Sequence, residues 1–194
     1  MALRRLWNSI RGVPENSTPA PLGGNEEATP KRAPGKLSRS ERIEITREDK
    51  RLCRRLSKSS IGSILEVNVG TGVRAAAILE ALAGRREMPP VRYVAIDQFE
   101  LGGNGLPLRD FHIRLRPFDA RIQMVPLDVT AGLQRVASTI GAVDFIVWGE
   151  PQAPTGRQLG LLARVSSPTS VLVQLDGEKW IESEVRQSAA IQAA

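Results

Sequence analysis

From residue 61 onward, short apolar runs alternate with helical stretches. This pattern constrains the fold more than any other feature of the chain. Ile64–Val67, Val91–Ile96, Ile122–Leu127, Val143–Trp148 and Ser170–Leu175 read as strands. Between them Val73–Ala83, Leu108–Leu115, Ala131–Ile140 and Pro154–Val165 read as helices, and Lys179–Ser188 as a weaker one. Strands that alternate with helices predict parallel pairing, because a parallel crossover needs a covering helix. The apolar runs have almost no polar interruption, as strands buried on both faces should. The expectation is a doubly wound, mostly parallel, five-stranded Rossmann-like α/β sheet.

The chain has 194 residues, and the part before this pattern has a different character. Leu3, Leu6, Trp7 and Ile10 form one apolar stripe at helical spacing, with Arg4, Arg5 and Arg11 off it. Residues 1–12 therefore read as a short basic amphipathic helix, suited to a membrane surface or a protein groove. An arginine-rich, acid-poor start also has the character of an organelle-targeting segment. Residues 13–40 carry five prolines and almost no large apolar side chains, so they read as a disordered linker. Residues 41–194 read as the α/β domain, with order beginning near Thr46, where Thr46 and Asp49 have capping-box spacing.

Charge follows the same division. Of the net charge of +6, residues 1–58 carry +7 and the rest −1, so the basic character is assigned to the N-terminal third and not to a binding face of the domain. No specific nucleic-acid motif is present. No apolar run approaches the roughly 18 residues of a membrane span, and a cytoplasmic location is expected. One cysteine and one histidine exclude an intramolecular disulfide and a cysteine–histidine zinc site, and no metal is predicted. Cys53 and His112 read as packing or surface residues.

Ligands of open parallel sheets bind beyond the carboxyl ends of the strands. Here the first strand ends in Glu66-Val67-Asn68-Val69-Gly70-Thr71-Gly72, a turn whose two glycines let backbone approach a ligand. Asp97 follows the second strand and can accept both hydroxyl protons of a ribose. Asp128 follows the third, as a ligand contact or as the N-cap of the next helix. Gly149-Glu150 follows the fourth, and Glu150 is the candidate for chemistry on an acceptor. A glycine turn with acids at two further strand ends points to a nucleoside-containing ligand.

Across about residues 46–178 the chain resembles the class I S-adenosylmethionine-dependent methyltransferases. Leu65 to Gly72 is similar to that family's acid-plus-glycine motif, and Val143 to Trp148 to its fourth-strand motif. The resemblance implies S-adenosylmethionine as cofactor, with Glu66, Asn68, Gly70, Gly72, Asp97 and Asp128 as binding residues, and a small-molecule or protein methyl acceptor. The chain departs from the family at Asn68, where glycine is usual, and at Gly149, where the metal-dependent O-methyltransferases place an acid. The family's sixth strand and antiparallel seventh are expected to be missing after Lys179. That absence would expose the fifth strand's edge and favour a homo-oligomer covering it.

Two alternatives stand beside the methyltransferase reading. One is a catalytically degenerate scaffold or partner-binding module. The other is an NAD-dependent oxidoreductase, because Gly70, Gly72 and Ala75 fit G-x-G-x-x-A and Asp97 lies 22 residues further on.

Overall fold

The computed structural model describes residues 36–38, 42, 45–85, 89–103 and 105–184. The proposed helix over residues 1–12 and most of the linker lie outside the described residues. The order is α1 (Arg47–Leu56), β1 (Ser63–Val67), α2 (Val73–Ala83), β2 (Val91–Ile96), a 3₁₀ turn (Phe99–Gly102), α3 (Leu108–Leu115), β3 (Ala120–Val125), α4 (Val129–Thr139), β4 (Val143–Trp148), α5 (Arg157–Arg164), β5 (Ser166–Asp176) and β6 (Lys179–Glu184).

The six strands form one sheet in the order β3-β2-β1-β4-β5-β6. All neighbours pair in parallel except β5 and β6, which are antiparallel. β1 sits at the centre, and its carboxyl end faces the switch point between β2 and β4. Consecutive residues of each central strand point to opposite layers. Ile64, Tyr93, Phe145 and Val173 pack towards one layer, with Leu52, Leu56 and Ile78 from the helices. Leu65, Val94, Ile146 and Leu172 pack towards the other, with Leu133, Val136 and Leu162. The doubly wound, mostly parallel architecture expected from the apolar runs is what forms.

Three details differ from the sequence expectations. The strand count is six, not five, and Lys179–Ser188 is not a helix: Lys179–Glu184 is a strand, and the residues beyond 184 lie outside the described region. The reason is local. Asp176 pairs with Lys179 across the two-residue loop Gly177-Glu178, and Gly177 has φ +58°. A positive-φ glycine at the first position of a two-residue loop favours a hairpin. The domain thus has an antiparallel final strand, and the edge of β5 is covered by β6 of the same chain.

β3 is likewise not buried on both faces. Its residues alternate between half-buried and exposed up to Val125, because it is an edge strand. α5 begins at Arg157, after Gly156 at φ +46°, and not at Pro154.

α1 belongs to the folded domain. Thr46 Oγ1 caps it by accepting from Asp49 N at 3.0 Å, while Leu52 and Leu56 are buried against α2. Leu37 and Ile45 are also buried in that layer, and Arg42 pairs with Glu80 at 2.6 Å. Cys53 is half-buried there; burial, with the charges of Asp49 and Glu66 nearby, pushes its thiol up to about 12. It is an inert packing residue. His112 is exposed on α3.

Candidate functional site

A cleft of about 340 Å³ opens at the carboxyl ends of β1, β2, β3 and β4. Asn68, Asp97, Asp128 and Glu150 supply its polar wall, and Ile96 and Leu127 part of its apolar one. A second lobe of about 660 Å³ shares Asn68, Asp97 and Gly105 with it and extends to Gly70, Thr71, Leu106 and Arg114. Together the lobes fall within the size of small-molecule sites. Asp97 stands at their junction.

The turn after β1 is shaped by left-handed backbone at three positions. Asn68 has φ +58°, Gly70 +56° and Gly72 +74°. Asparagine tolerates this region better than most residues, so the turn keeps its path without glycine at 68. Gly72 is the N-cap of α2, and a Cβ there would lie 2.8 Å from Phe111 Cδ2. Its missing side chain is therefore required by packing on α3. Gly70 faces open space.

Asp97 ties this turn to the strand beside it. Its Oδ2 accepts from Val69 N at 2.9 Å, and its Oδ1 from Phe99 N at 2.7 Å. Two backbone amides thus hold the carboxylate. An ionised carboxylate has about four lone-pair sites, so two remain for a ligand. Asp128 is the N-cap of α4: its Oδ1 accepts from Thr130 N at 2.9 Å and Ala131 N at 3.0 Å. The N-cap is what forms, and it uses one carboxylate oxygen of a residue that also lines the cleft.

Glu66 has a different place. It is fully buried beneath the turn and does not line the cleft. Arg74 Nε donates to its Oε1 at 2.7 Å, and the Tyr93 hydroxyl donates to Oε2. Burial pushes the Glu66 carboxyl above its usual range, against the stabilising charge of Arg74. Burial alone would lower the Arg74 guanidinium, but the Glu66 carboxylate outweighs it and keeps Arg74 firmly protonated. Arg74 Nη2 also donates to Asn68 O at 2.8 Å, and its guanidinium lies 5.2 Å from the Trp180 ring. The Trp180 indole in turn donates to Asp49 Oδ1 at 3.0 Å. The acid of the glycine motif therefore anchors the turn from below, through Arg74.

The end of β4 carries a steric requirement. A Cβ on Gly149 would lie 2.5 Å from Asn68 O and 2.6 Å from both Val67 O and Arg74 Nη2. No side chain fits, so a metal-binding acid has no room at this position. Among the described residues, no group of three His, Cys, Asp or Glu could hold a metal ion.

Glu150, one residue on, is half-buried in the cleft. Burial raises its carboxyl above the usual range, and the charge of Asp97 adds to this. A raised value means that the folded state bears the cost of ionisation above the folded pKa, and bears none below the unfolded one. Glu150→Gln is therefore expected to raise the melting temperature at about pH 8 and leave it unchanged at about pH 4. The group is partly exposed, so the gain should be only about 1–2 °C. Calorimetric melts at the two pH values measure it.

Sequence reasoning missed the loop after Asp97. Phe99 is buried with φ +52°, and its ring centroid lies 5.4 Å from that of Phe111. A Cβ on Gly105 would lie 2.1 Å from Phe99 O. This packed loop forms one wall of the cleft with Gly102 and Gly105. The cluster Gly102-Gly103-Asn104-Gly105 was the available signal. Trp148 does not face the cleft: it is buried in the core, and its indole donates to Gln152 O at 2.7 Å. Asp144 lies at the opposite end of the sheet, where it accepts from Gly62 N and Ser63 N and joins β4 to β1.

No protein-family model matches this sequence, and no curated protein matches it. Among solved structures it is similar to an S-adenosylmethionine-dependent methyltransferase from Agrobacterium tumefaciens, at 15% identity over 70% of this chain and 45% of that one, with a TM-score of 0.47. It is similar to a Podospora anserina methyltransferase with bound S-adenosylhomocysteine, at 11% identity over 68% and 54%, TM-score 0.49. An O-methyltransferase from Bacillus cereus, also with S-adenosylhomocysteine, matches at 16% identity over 72% and 57%, TM-score 0.46. The chain spans about half the length of these three structures. On its own strand order and strand directions, the domain has a doubly wound Rossmann-like fold closed by one antiparallel strand.

Proposed function

We propose that the chain binds S-adenosylmethionine in the cleft around Asp97 and acts as a methyltransferase. The observation that carries this reading is the charge of the cleft. Among the described residues, three carboxylates, from Asp97, Asp128 and Glu150, line its smaller lobe with no lysine or arginine beside them, and Arg114 is the cation of the adjoining lobe. Such a wall suits a ligand that brings hydroxyl and amine donors and positive charge. S-adenosylmethionine brings ribose hydroxyls, an adenine amine, an ammonium and a sulfonium.

The residues fit that ligand one by one. Asp97 has two acceptor sites left for the ribose hydroxyls. Asp128 Oδ2 makes no hydrogen bond to the described residues and can accept from the adenine amine, while Leu127 and Ile96 offer apolar surface to the ring. Asn68 and Gly70 border the adjoining lobe, where the amino-acid portion would lie. When bound, the cofactor supplies a methyl group already activated for transfer. The chain's part is then to orient an acceptor and exclude water. In this reading Glu150, which lines the cleft, takes a proton from that acceptor.

The three acids of the smaller lobe offer nothing to the phosphates of NAD. The scaffold reading loses part of its support, because the antiparallel final strand is present and the turn accommodates Asn68. Titration calorimetry of the full chain with S-adenosylhomocysteine, and with NAD as control, is the test. Micromolar binding of S-adenosylhomocysteine alone is expected. A folded protein that binds neither would overturn the proposal in favour of the scaffold.

A further inference from the structure

We infer that α1 is a docking surface for the phosphate backbone of a nucleic-acid duplex. The sequence reading placed the basic charge in residues 1–58 and gave the domain no basic binding face, but α1 carries part of that charge on the domain's surface. Leu52 and Leu56 are buried beneath the helix. Arg47, Lys50 and Arg54, with Lys58 one turn beyond, are exposed on the side away from the core. Their spacing of three, four and four residues sets them in one row about 16 Å long.

These cations have no acidic partner among the described residues. Among the described residues, the acids nearby are already committed: Glu48 pairs with Arg51, Glu182 with Arg55 and Glu80 with Arg42, while Asp49 is buried and accepts from Thr46 and Trp180. Glu178 of the β5–β6 hairpin lies near the helix start as the exposed exception.

Folding does not call for this row. Cations in the first turn of a helix oppose its dipole, so Arg47 and Lys50 cost stability where they stand. Only Arg54 and Lys58, at the other end, are favourably placed. A row of like charges that opposes its own helix dipole has a polyanion as its natural complement.

The identity of the polyanion follows from what the face lacks. A membrane-surface helix buries an apolar face among lipid chains, but the apolar face of α1 is used up in the core. A single-strand site offers aromatic platforms for bases, and α1 has no aromatic residue. Phosphates presented by a duplex need neither. Arg47 lies at the end of α1 nearest the turn after β5, so this row runs towards the carboxyl end of the sheet, where the cleft opens. The inference holds whether or not the cleft takes S-adenosylmethionine.

Fluorescence anisotropy of the full chain with a labelled DNA duplex of about 20 base pairs, across a salt series, tests it. The variant Arg47→Gln/Lys50→Gln/Arg54→Gln/Lys58→Gln should bind at least about tenfold more weakly and flatten the log affinity–log salt slope by about 3.6, at roughly 0.9 per phosphate contact. The control Arg4→Gln/Arg5→Gln/Lys31→Gln/Arg32→Gln removes the same charge from the N-terminal segment and should change both less. Acetylation footprinting of the unaltered chain gives a reading that no variant can confound: the duplex should protect Lys50 and Lys58. Equal loss in the two variants with no such protection would overturn the inference. So would binding to phosphatidylserine vesicles without binding to the duplex.

Discussion

Arg74→Met should cost about 3–5 kcal/mol of stability, the largest effect expected from any single change in the described residues. The substitution keeps much of the side chain's volume but leaves Glu66 buried without its cation. Glu66 is fully buried, and Tyr93 alone would then hold it. The sign of the pH dependence follows from the burial that already raises Glu66. Without Arg74 the carboxyl rises further, so the folded state favours the protonated form. The loss should therefore be greatest above the folded pKa and shrink as pH falls and Glu66 becomes neutral. Adding Glu66→Gln should recover most of the loss, because an amide can still accept from Tyr93 without a buried charge. A double-mutant cycle by denaturant unfolding measures the coupling. Near-zero coupling would show that the pair contributes nothing beyond its separate parts.

Asp97→Ala should weaken S-adenosylhomocysteine binding by about 10- to 100-fold or more. A hydrogen bond to a charged group is worth about 1.5–3 kcal/mol, and the ribose would lose up to two. A further loss comes through the backbone. The carboxylate accepts from Val69 N on one side and Phe99 N on the other, so its removal frees both the glycine turn and the loop that walls the cleft. Asp97→Asn separates the two effects only in part. Its amide oxygen can replace one acceptor, but its NH₂ group would face the second backbone N–H. Calorimetry of both variants, set against their melting temperatures, reads the outcome. Unchanged affinity in a folded Asp97→Ala protein would remove this residue from the site and the cofactor proposal with it.

Much of the fold was legible because the signals were periodic and local. Val73–Ala83, Val91–Ile96, Leu108–Leu115 and Val143–Trp148 form at the bounds their patterns predict. Asp97, Asp128, Asn68 and Gly70 were also legible as cleft residues, since a parallel sheet presents whatever follows each strand at one end. The misreading of Lys179–Glu184 has a physical cause: six residues carry too little periodicity to separate strand from helix, and the Asp176-Gly177 turn was the stronger signal. The role of Glu66 was hidden for another reason. Its partners Arg74 and Tyr93 lie on α2 and β2, and the sequence contains no sign that the three meet.

The sequence by itself determined the layering of this protein. Hydrophobic periods decide which elements form and which faces they bury, and those periods are written in consecutive residues. It also determined that the acids and glycines would gather at the carboxyl ends of the strands. Only the tertiary structure decided what each charge does. Glu66 anchors the turn, Asp97 joins two loops around the cleft, and the cations of α1 belong to the domain's surface. A charge acts through its neighbours and its distance from water, and both are properties of the packed chain.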